Sequence, residues 1–421
     1  MMVSERVSTR MGKPEPVAAN EPVAAPPARY TLDGDPAVEA RIDADQQQIA
    51  AAVVDSVPAH SFVALVLMGG YGRGEGGYVV TEDGPAPFND YDYFVVVRRT
   101  SGAQRAALHR ELAELAETLT VRVGVEVDFA LLSAEHLRRA EYSLMNAEMR
   151  WGHRVVAGAP HVLAAMRAMP FVDLPHGELT RLMLNRGALL LMDQQQLLER
   201  RSLGAGGGMD SGEREVFFKY LFKAVLACGD TRLAADGRYH PSYPEKLARL
   251  QAPRPAIYVD DRERPDPMPR HDEFLALYRL AYRHKFHPAY EELAEARPAD
   301  WVARVLRIWT ATLRAFEIRR LGASFSDWHD YCRPDLDKGQ GGNLIRNLGV
   351  TVRDFGPREL LRRPRRALRY PRERLIAALP LLLTESGSLL DPCAASALGL
   401  PANIHWKLAA ERFLGLWARY A

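Results

Sequence analysis

The chain reads as an α+β protein: an α/β-type N-terminal domain with a short mixed sheet, followed by a larger, mainly α-helical region. Three observations predict this. Runs of strand length and composition, Phe62 to Met68, Tyr93 to Val97 and Val121 to Leu132, alternate with helical stretches as far as about residue 160. Beyond that point apolar residues recur at helical spacing only. The length, 421 residues, is enough for two or three domains with a sizeable core. The expected division is a disordered tail over 1–30, a catalytic domain over 31–165, a helical domain over 170–325, and a helical extension over 326–421 whose role the sequence does not indicate.

Residues 1 to about 30 are rich in Ala, Pro and Val without periodicity. Asp35 to Val57 has helical spacing and is expected to lie against the sheet. Phe62 to Met68 reads as a buried strand that ends in Gly69-Gly70-Tyr71-Gly72-Arg73-Gly74-Glu75-Gly76-Gly77. So many glycines leave successive backbone N–H groups able to turn inward and line an anion site. A polar, Pro-containing loop follows, then Asp90-Tyr91-Asp92 and the apolar run Tyr93 to Val97. Gln104 to Thr120 carries a leucine stripe, Leu108, Leu112, Leu115 and Leu119. Val121 to Leu132 alternates, with Val123, Val125 and Val127 on one face and Glu126 and Asp128 on the other. A helix over Glu135 to Ala147 and a short strand over Arg154 to Gly158 close the domain.

The helical region begins with Glu178 to Arg201, broken at Gly204 to Gly208. Glu213 to Ala235 follows, where Lys219 and Lys223 share a helix face. Tyr239 and Tyr243 lie in the next loop and are read as buried loop tyrosines rather than stacking platforms. His271 to Glu295 and Trp301 to Leu321 are further helices, and His284 and His287 are read as surface or capping residues. Phe325 to Tyr331 is polar and aromatic. Eight arginines between Arg358 and Arg374 are read as a solvated helix face, with RNA, an acidic protein or an anionic lipid surface as alternative partners.

The chemistry is concentrated in the first domain. Asp90 and Asp92 stand two apart on a strand, so their carboxylates share a face, and Asp128 brings a third acid toward it. Paired carboxylates beside a phosphate-binding turn suit a hard divalent cation. A further carboxylate can accept a proton from an attacking hydroxyl. Glu126, on the same face, competes for that third role.

The ordered set of a Gly69-Gly70 turn after a strand, Asp90-x-Asp92 and Asp128 resembles the DNA polymerase beta-like nucleotidyltransferase superfamily. Its more specific kin are the bacterial minimal and aminoglycoside-type nucleotidyltransferases with a helical C-terminal domain. The resemblance implies that Asp90, Asp92 and Asp128 bind two Mg²⁺ ions, or Mn²⁺, and are catalytic. It implies that Gly69, Gly70 and Arg73 contact the triphosphate. Lys223, with Lys219 second, matches a helix lysine that reaches the triphosphate across the interdomain cleft. The family usually has Gly-Ser where this chain has Gly69-Gly70, and the longer Gly77 to Asn89 segment reads as a lid or acceptor contact.

The implied reaction moves a nucleoside monophosphate, AMP from ATP, to a hydroxyl of a small-molecule acceptor and releases pyrophosphate. A protein-AMPylating enzyme of toxin–antitoxin type, a non-catalytic nucleotide-binding module and an RNA acceptor remain alternatives. Lys and Arg total 55 against 53 Asp and Glu, so no global basic field for nucleic acid exists. The three cysteines, Cys228, Cys332 and Cys393, are far apart in sequence and suggest neither a disulfide framework nor a metal site. No apolar segment approaches a membrane span, and the start lacks a secretory apolar region. Together these predict a cytoplasmic bacterial protein without a membrane span.

Overall fold

The computed structural model describes residues 29–82, 84–202, 209–252, 271–384 and 389–421. The expected tail, up to residue 28, and the loop Gly204 to Gly208 lie outside the described residues. The N-terminal half runs α1 (Pro36–Ser56), β1 (Phe62–Leu67), the single turn α2 (Gly69–Gly72), β2 (Gly77–Thr81), β3 (Gly84–Phe88), β4 (Asp90–Val97), α3 (Gly102–Val123), β5 (Glu126–Ser133), α4 (Ala134–Arg138), α5 (Leu144–Trp151) and β6 (Arg154–Gly158). Four strands form one mixed sheet in the order β5-β4-β1-β6. β1 is antiparallel to both β4 and β6, and β5 is parallel to β4.

Strand alternation decides which face each side chain takes. Leu65, Leu67, Tyr91, Tyr93, Val95 and Val97 pack with Val38, Ile42 and Ile49 of α1 and Leu108 and Leu112 of α3. Ala64, Val66, Phe94 and Val96 pack on the other face with Ala147, Met149, Leu163 and Met166. Each fully buried aliphatic side chain of this kind contributes about 1.5–3 kcal/mol. Two buried hydroxyls lock the phase: Tyr91 donates to Asp45 Oδ2 at 2.9 Å and Tyr93 to Gln46 Oε1 at 2.6 Å. A one-residue slip of β4 would turn both tyrosines away from α1. Asp90 and Asp92 are thereby held on the same side as Phe94 and Val96.

Several local expectations need correction. The Gly77 to Asn89 segment is a β2–β3 hairpin, with Tyr78 opposite Pro87 and Val80 opposite Pro85. Its two prolines mask the strand signal, although a two-stranded edge tolerates them. Residues Val121 to Val123 continue α3 rather than opening β5, because Gly124, at φ 74°, supplies the left-handed stop only there. Val121 is 86% exposed as a result. The expected helix over Glu135 to Ala147 is two helices, since Ser143 accepts from Asn146 N–H and starts α5 afresh.

The second half is helical: α6 (His176–Ser202), α7 (Ser211–Ala235), α8 (Tyr243–Gln251), α9 (His271–Phe286), α10 (Pro298–Leu321), α11 (Trp328–Cys332), α12 (Leu344–Phe355), α13 (Arg358–Arg362), α14 (Pro364–Ala367), α15 (Pro371–Thr384), α16 (Pro392–Ala397) and α17 (Trp406–Tyr420). α7 starts at an Asp210–Glu213 capping box and is buried nearly all round from Phe217 to Ala234. It is therefore the central rod, packed by α6, α9 and α10. One hydrophobic core runs from Met183 to Tyr420 and takes in both the 170–325 and 326–421 stretches. Buried indoles are tied to the backbone, Trp309 to the Met183 carbonyl and Trp406 to that of Leu382.

The arginine run is only in part a solvated face: Arg358, Arg362 and Arg365 are exposed, while the others are half-buried or buried. Arg374 pairs with Glu359 at 2.7 Å, Arg369 with Asp337 at 2.6 Å, and Arg363 with Glu359 at 3.0 Å. Arg366 and Arg374 are buried, and the run acts as internal bracing for the short helices α13 to α16. Among the described residues, no helix is long and apolar enough to cross a membrane.

Candidate functional site

The register of the sheet brings the three acids together. Asp92 sits opposite Asp128 and Asp90 opposite Glu126 across the parallel β4–β5 pair. Neighbouring strands stand about 4.8 Å apart, so all four carboxylates rise from one small area of sheet. Burial first, then Asp90 and Asp128, push the Asp92 carboxyl up to about 6, against the opposing pull of Lys223 and Arg73. The site therefore carries more negative charge than its own cations offset. Asp128 is exposed and Asp90 and Asp92 are half-buried. The three do not close into a set of ligand atoms all within 4.8 Å of one another; among the described residues only His329, Asp391 and Cys393 do.

The entry to β4 has an unusual backbone. Asn89 has φ 86°, the left-handed region that Asn tolerates better than most residues, and its amide donates to Asp90 Oδ1. Gly69, at φ 63°, lies against Asp92: a Cβ there would come within 3.0 Å of Asp92 Oδ2. Both features hold the acid pair from the side.

Next to the entry of β4 lies a cleft, open to solvent, between the hairpin and the helical half. Its walls include Phe88 and Asn89, Arg186 of α6, Lys219 and Lys223 of α7, and Lys285 of α9. Four cations thus line a cavity that reaches Asn89, the residue before Asp90. Lys223 is driven below its ordinary value by burial and by Arg186 and Lys219, while Asp90 and Asp92 pull the other way. Burial and Arg73 push Lys285 down to about 8. Its ammonium also lies 4.5 Å from the centre of the Tyr243 ring. Cations crowded against one another, without full pairing, are poised for a polyanion.

The glycine run does less than its composition suggests. The N–H groups of Gly72 to Gly76 all donate within the fold, to Met68, Gly69, Tyr71, Gly70 and Tyr30 carbonyls in turn. Only its start, Gly69 and Gly70, is left for an anion-binding role. The remaining glycines serve close packing: a Cβ on Gly72 would meet the Leu67 carbonyl at 2.4 Å, and one on Gly76 the Tyr71 ring at 2.1 Å. Tyr71 in turn ties the hairpin, accepting from Phe88 N–H at 2.9 Å beside the Gly77 and Phe88 carbonyls.

Arg73 points away from the cleft into a buried network. It pairs with Glu75 at 3.8 Å and Glu148 at 3.9 Å. Glu148 also takes Lys246 at 3.6 Å and the Tyr239 hydroxyl, and Lys246 pairs with Asp230 at 2.9 Å. Lys246 is only 1% exposed, and these two carboxylates hold its ammonium well above the ordinary lysine range despite burial. Tyr243 N–H donates to Glu75 Oε2 at 3.3 Å. These contacts join the two halves; Tyr239 is buried in its loop as expected, whereas Tyr243 is half-buried and opens α8 instead of lying in the loop.

Sequence reasoning missed Asn89, Arg186, Lys285 and Lys246. An isolated cation on a helix carries no signal until packing shows what it faces. It also misread His284, which is 1% exposed and stacked between Phe222, at 4.9 Å, and Tyr290, at 5.3 Å. His284 Nδ1 accepts from Ala289 N–H, so a capping role is present within that stack. His287 pairs with Asp33 at 2.7 Å. Comparison with family models, curated proteins and solved structures found no match.

Proposed function

We propose that the cleft is the active site of a metal-dependent nucleotidyltransferase that moves AMP from ATP to a hydroxyl of a small-molecule acceptor. The observation that supports this reading most is the register that puts Asp90, Asp92 and Asp128 on one face of the sheet, with Lys223 near enough for Asp90 and Asp92 to oppose the lowering of its ammonium by burial. A surplus of carboxylate on one wall and of cation on the other fits a metal–triphosphate complex, which presents both signs.

The donor set suits Mg²⁺: the raised Asp92 carboxyl marks a place where like charges crowd and a hard divalent cation would relieve them. Asp90, Asp92 and Asp128 would hold the ions, which when bound supply Lewis-acid charge to the phosphate oxygens. The chain's own groups do the rest. Lys223, Lys285 and Arg186 neutralise the phosphates that become pyrophosphate. The acceptor oxygen attacks the α-phosphorus, the bond to the β-phosphate oxygen breaks, and Asp128 on its exposed strand takes the hydroxyl proton. Catalysis rests on positioning and charge neutralisation, as is general for phosphoryl transfer.

One observation favours a second reading, a nucleotide-binding module without turnover: the three carboxylates do not close as a ligand set. The test uses α-labelled ATP, Mg²⁺ and a host lysate split into small-molecule, protein and RNA fractions. Label in the small-molecule fraction supports the proposal, and label in protein or RNA redirects the acceptor class. Binding of ATP with no pyrophosphate released from any of the four NTPs would sink the enzyme and leave the module.

A further inference from the structure

Far from the cleft, α11 and α16 meet at a cluster that the sequence keeps apart. His329 precedes Cys332 by three positions, and Asp391 precedes Cys393 by two. One potential ligand atom from each of His329, Asp391 and Cys393 lies within 4.8 Å of the others. His329 Nδ1 stands 3.2 Å from Asp391 Oδ2. That separation matches the edge of a tetrahedron with bonds of about 2.0 Å, which is about 3.3 Å. A nitrogen, a carboxylate oxygen and a sulfur in this arrangement match the donors that Zn²⁺ prefers.

The surroundings orient each donor. Asp391 Oδ1 caps α16, accepting from Cys393 N–H at 2.6 Å and Ala394 N–H at 3.3 Å, which turns Oδ2 toward His329. Cys393 Sγ accepts from Arg366 Nη2 at 3.0 Å and from the Cys332 thiol. Arg366 is itself fixed, with Nε on Ser396 Oγ at 3.1 Å and Nη2 on the Cys393 carbonyl at 3.2 Å. The Arg366 contact holds the sulfur from behind, a supporting shell of the kind that orients metal ligands. One thiolate and one carboxylate balance a divalent ion, and neutral His329 completes three protein ligands.

We propose that His329 Nδ1, Asp391 Oδ2 and Cys393 Sγ bind a Zn²⁺-class ion. The ion clamps α11, five residues long, to α16, six residues long. Helices of that length have little stability of their own, so a bond between them is worth more there than between longer elements. Zn²⁺ leaves the fourth position to water at the half-exposed surface.

The test is titration of the full-length, reduced, metal-stripped protein with Co²⁺, reading thiolate-to-cobalt absorption, followed by displacement with Zn²⁺. One equivalent is expected, with the absorption lost in Cys393→Ser. His329→Ala, at an exposed position, should weaken Zn²⁺ binding by more than about ten-fold. Asp92→Asn, in the other half, should leave the absorption unchanged, which separates this site from the cleft. Absence of thiolate absorption, or its persistence in Cys393→Ser, overturns the proposal. So does a Cys332–Cys393 disulfide that forms in air equally fast with and without Zn²⁺, since a bound ion would shield the thiolate.

Discussion

Asp92→Asn should make the metal-free protein more stable and, on the proposed function, inactive. In the folded chain the Asp92 carboxyl is pushed from its ordinary 3.8 up to about 6, chiefly by burial and then by Asp90 and Asp128. A rise of that size corresponds to roughly 3 kcal/mol against the charged form. Asn keeps the shape and removes the charge, so at neutral pH the variant should gain about 1–3 kcal/mol once local relaxation is allowed for. In a domain of this size that raises the melting midpoint by roughly 2–4 °C per kcal/mol.

The sign has a pH signature. Between about 4 and 6 the folded protein holds the Asp92 proton more tightly than the unfolded chain does. Stability of the wild type therefore falls as pH rises through that window and is flat in this respect above it. Asp92→Asn lacks the fall. Mg²⁺ should reverse the ranking, because an ion bound only to the folded wild type adds about 2.7 kcal/mol at a hundred-fold excess over its dissociation constant. The assay is thermal melting of both proteins with EDTA and with Mg²⁺, alongside pyrophosphate release. A variant that melts at or below wild type in EDTA at neutral pH refutes the crowding argument. Equal stabilisation of both by Mg²⁺ refutes the metal assignment.

Other perturbations reach the remaining parts. Lys223→Ala and Lys285→Ala should each raise KM for ATP, by roughly ten-fold or more for loss of a charged contact, with no loss of melting temperature because both lysines sit among like charges. Unchanged KM in both would remove the cleft as the triphosphate site. Lys246→Met should cost about 3–5 kcal/mol, since it leaves Asp230 buried without its cation; adding Asp230→Asn should recover part of it, and urea melts of the two variants decide. Gly69→Ala forces a side chain into φ 63° beside Asp92, at about 1–2 kcal/mol. ATP turnover should fall further than that stability loss implies, and turnover falling only in step with stability would show that Gly69 does not hold the acid.

Legibility followed the range of the interaction. β1, β4 and α3 were readable because each is written in contiguous residues: an apolar run, a DxD before another apolar run, a leucine stripe. The shared face of Asp90 and Asp92 needed only the two-residue repeat of a strand. Pairing of Asp92 with Asp128 needed the parallel β4–β5 register, which no local pattern states. The end of α3 was misplaced by three residues because Val121 and Val123 continue the strand-like alternation, while the stop is set by a single left-handed glycine. Cys332 and Cys393 were set aside on their sequence distance and odd number, and only the packing of α11 on α16 brings both sulfurs to Arg366. The arginine run was misread for the opposite reason. Its partners, Asp337 and Glu359 among them, lie close in sequence but become partners only when short helices fold back on one another.

The two halves of the cleft depend on one another for their charge. Acids rise from β4 and β5 and cations come from α6, α7 and α9, and on the proposed function a metal–triphosphate complex needs both. Behind the cleft the junction carries an ionic network beside its apolar contacts. Arg73 and Lys246 meet Glu75, Glu148 and Asp230, with the Tyr239 hydroxyl donating to the surplus carboxylate. Packed hydrophobic residues of the same volume would hold the halves at least as firmly. An ion network, however, tolerates little sliding: displacing Lys246 leaves the buried Asp230 without its cation, whereas a slipped apolar contact loses only area. The network therefore fixes the relative position of the two walls more sharply than it stabilises them. Its nearness to Gly69 and Asp92 through Arg73, which pulls the Asp92 carboxyl down from behind, carries that positioning to the acid pair. A weakened network would therefore disturb the spacing of the acids from Lys223 and Lys285 before it separated the halves.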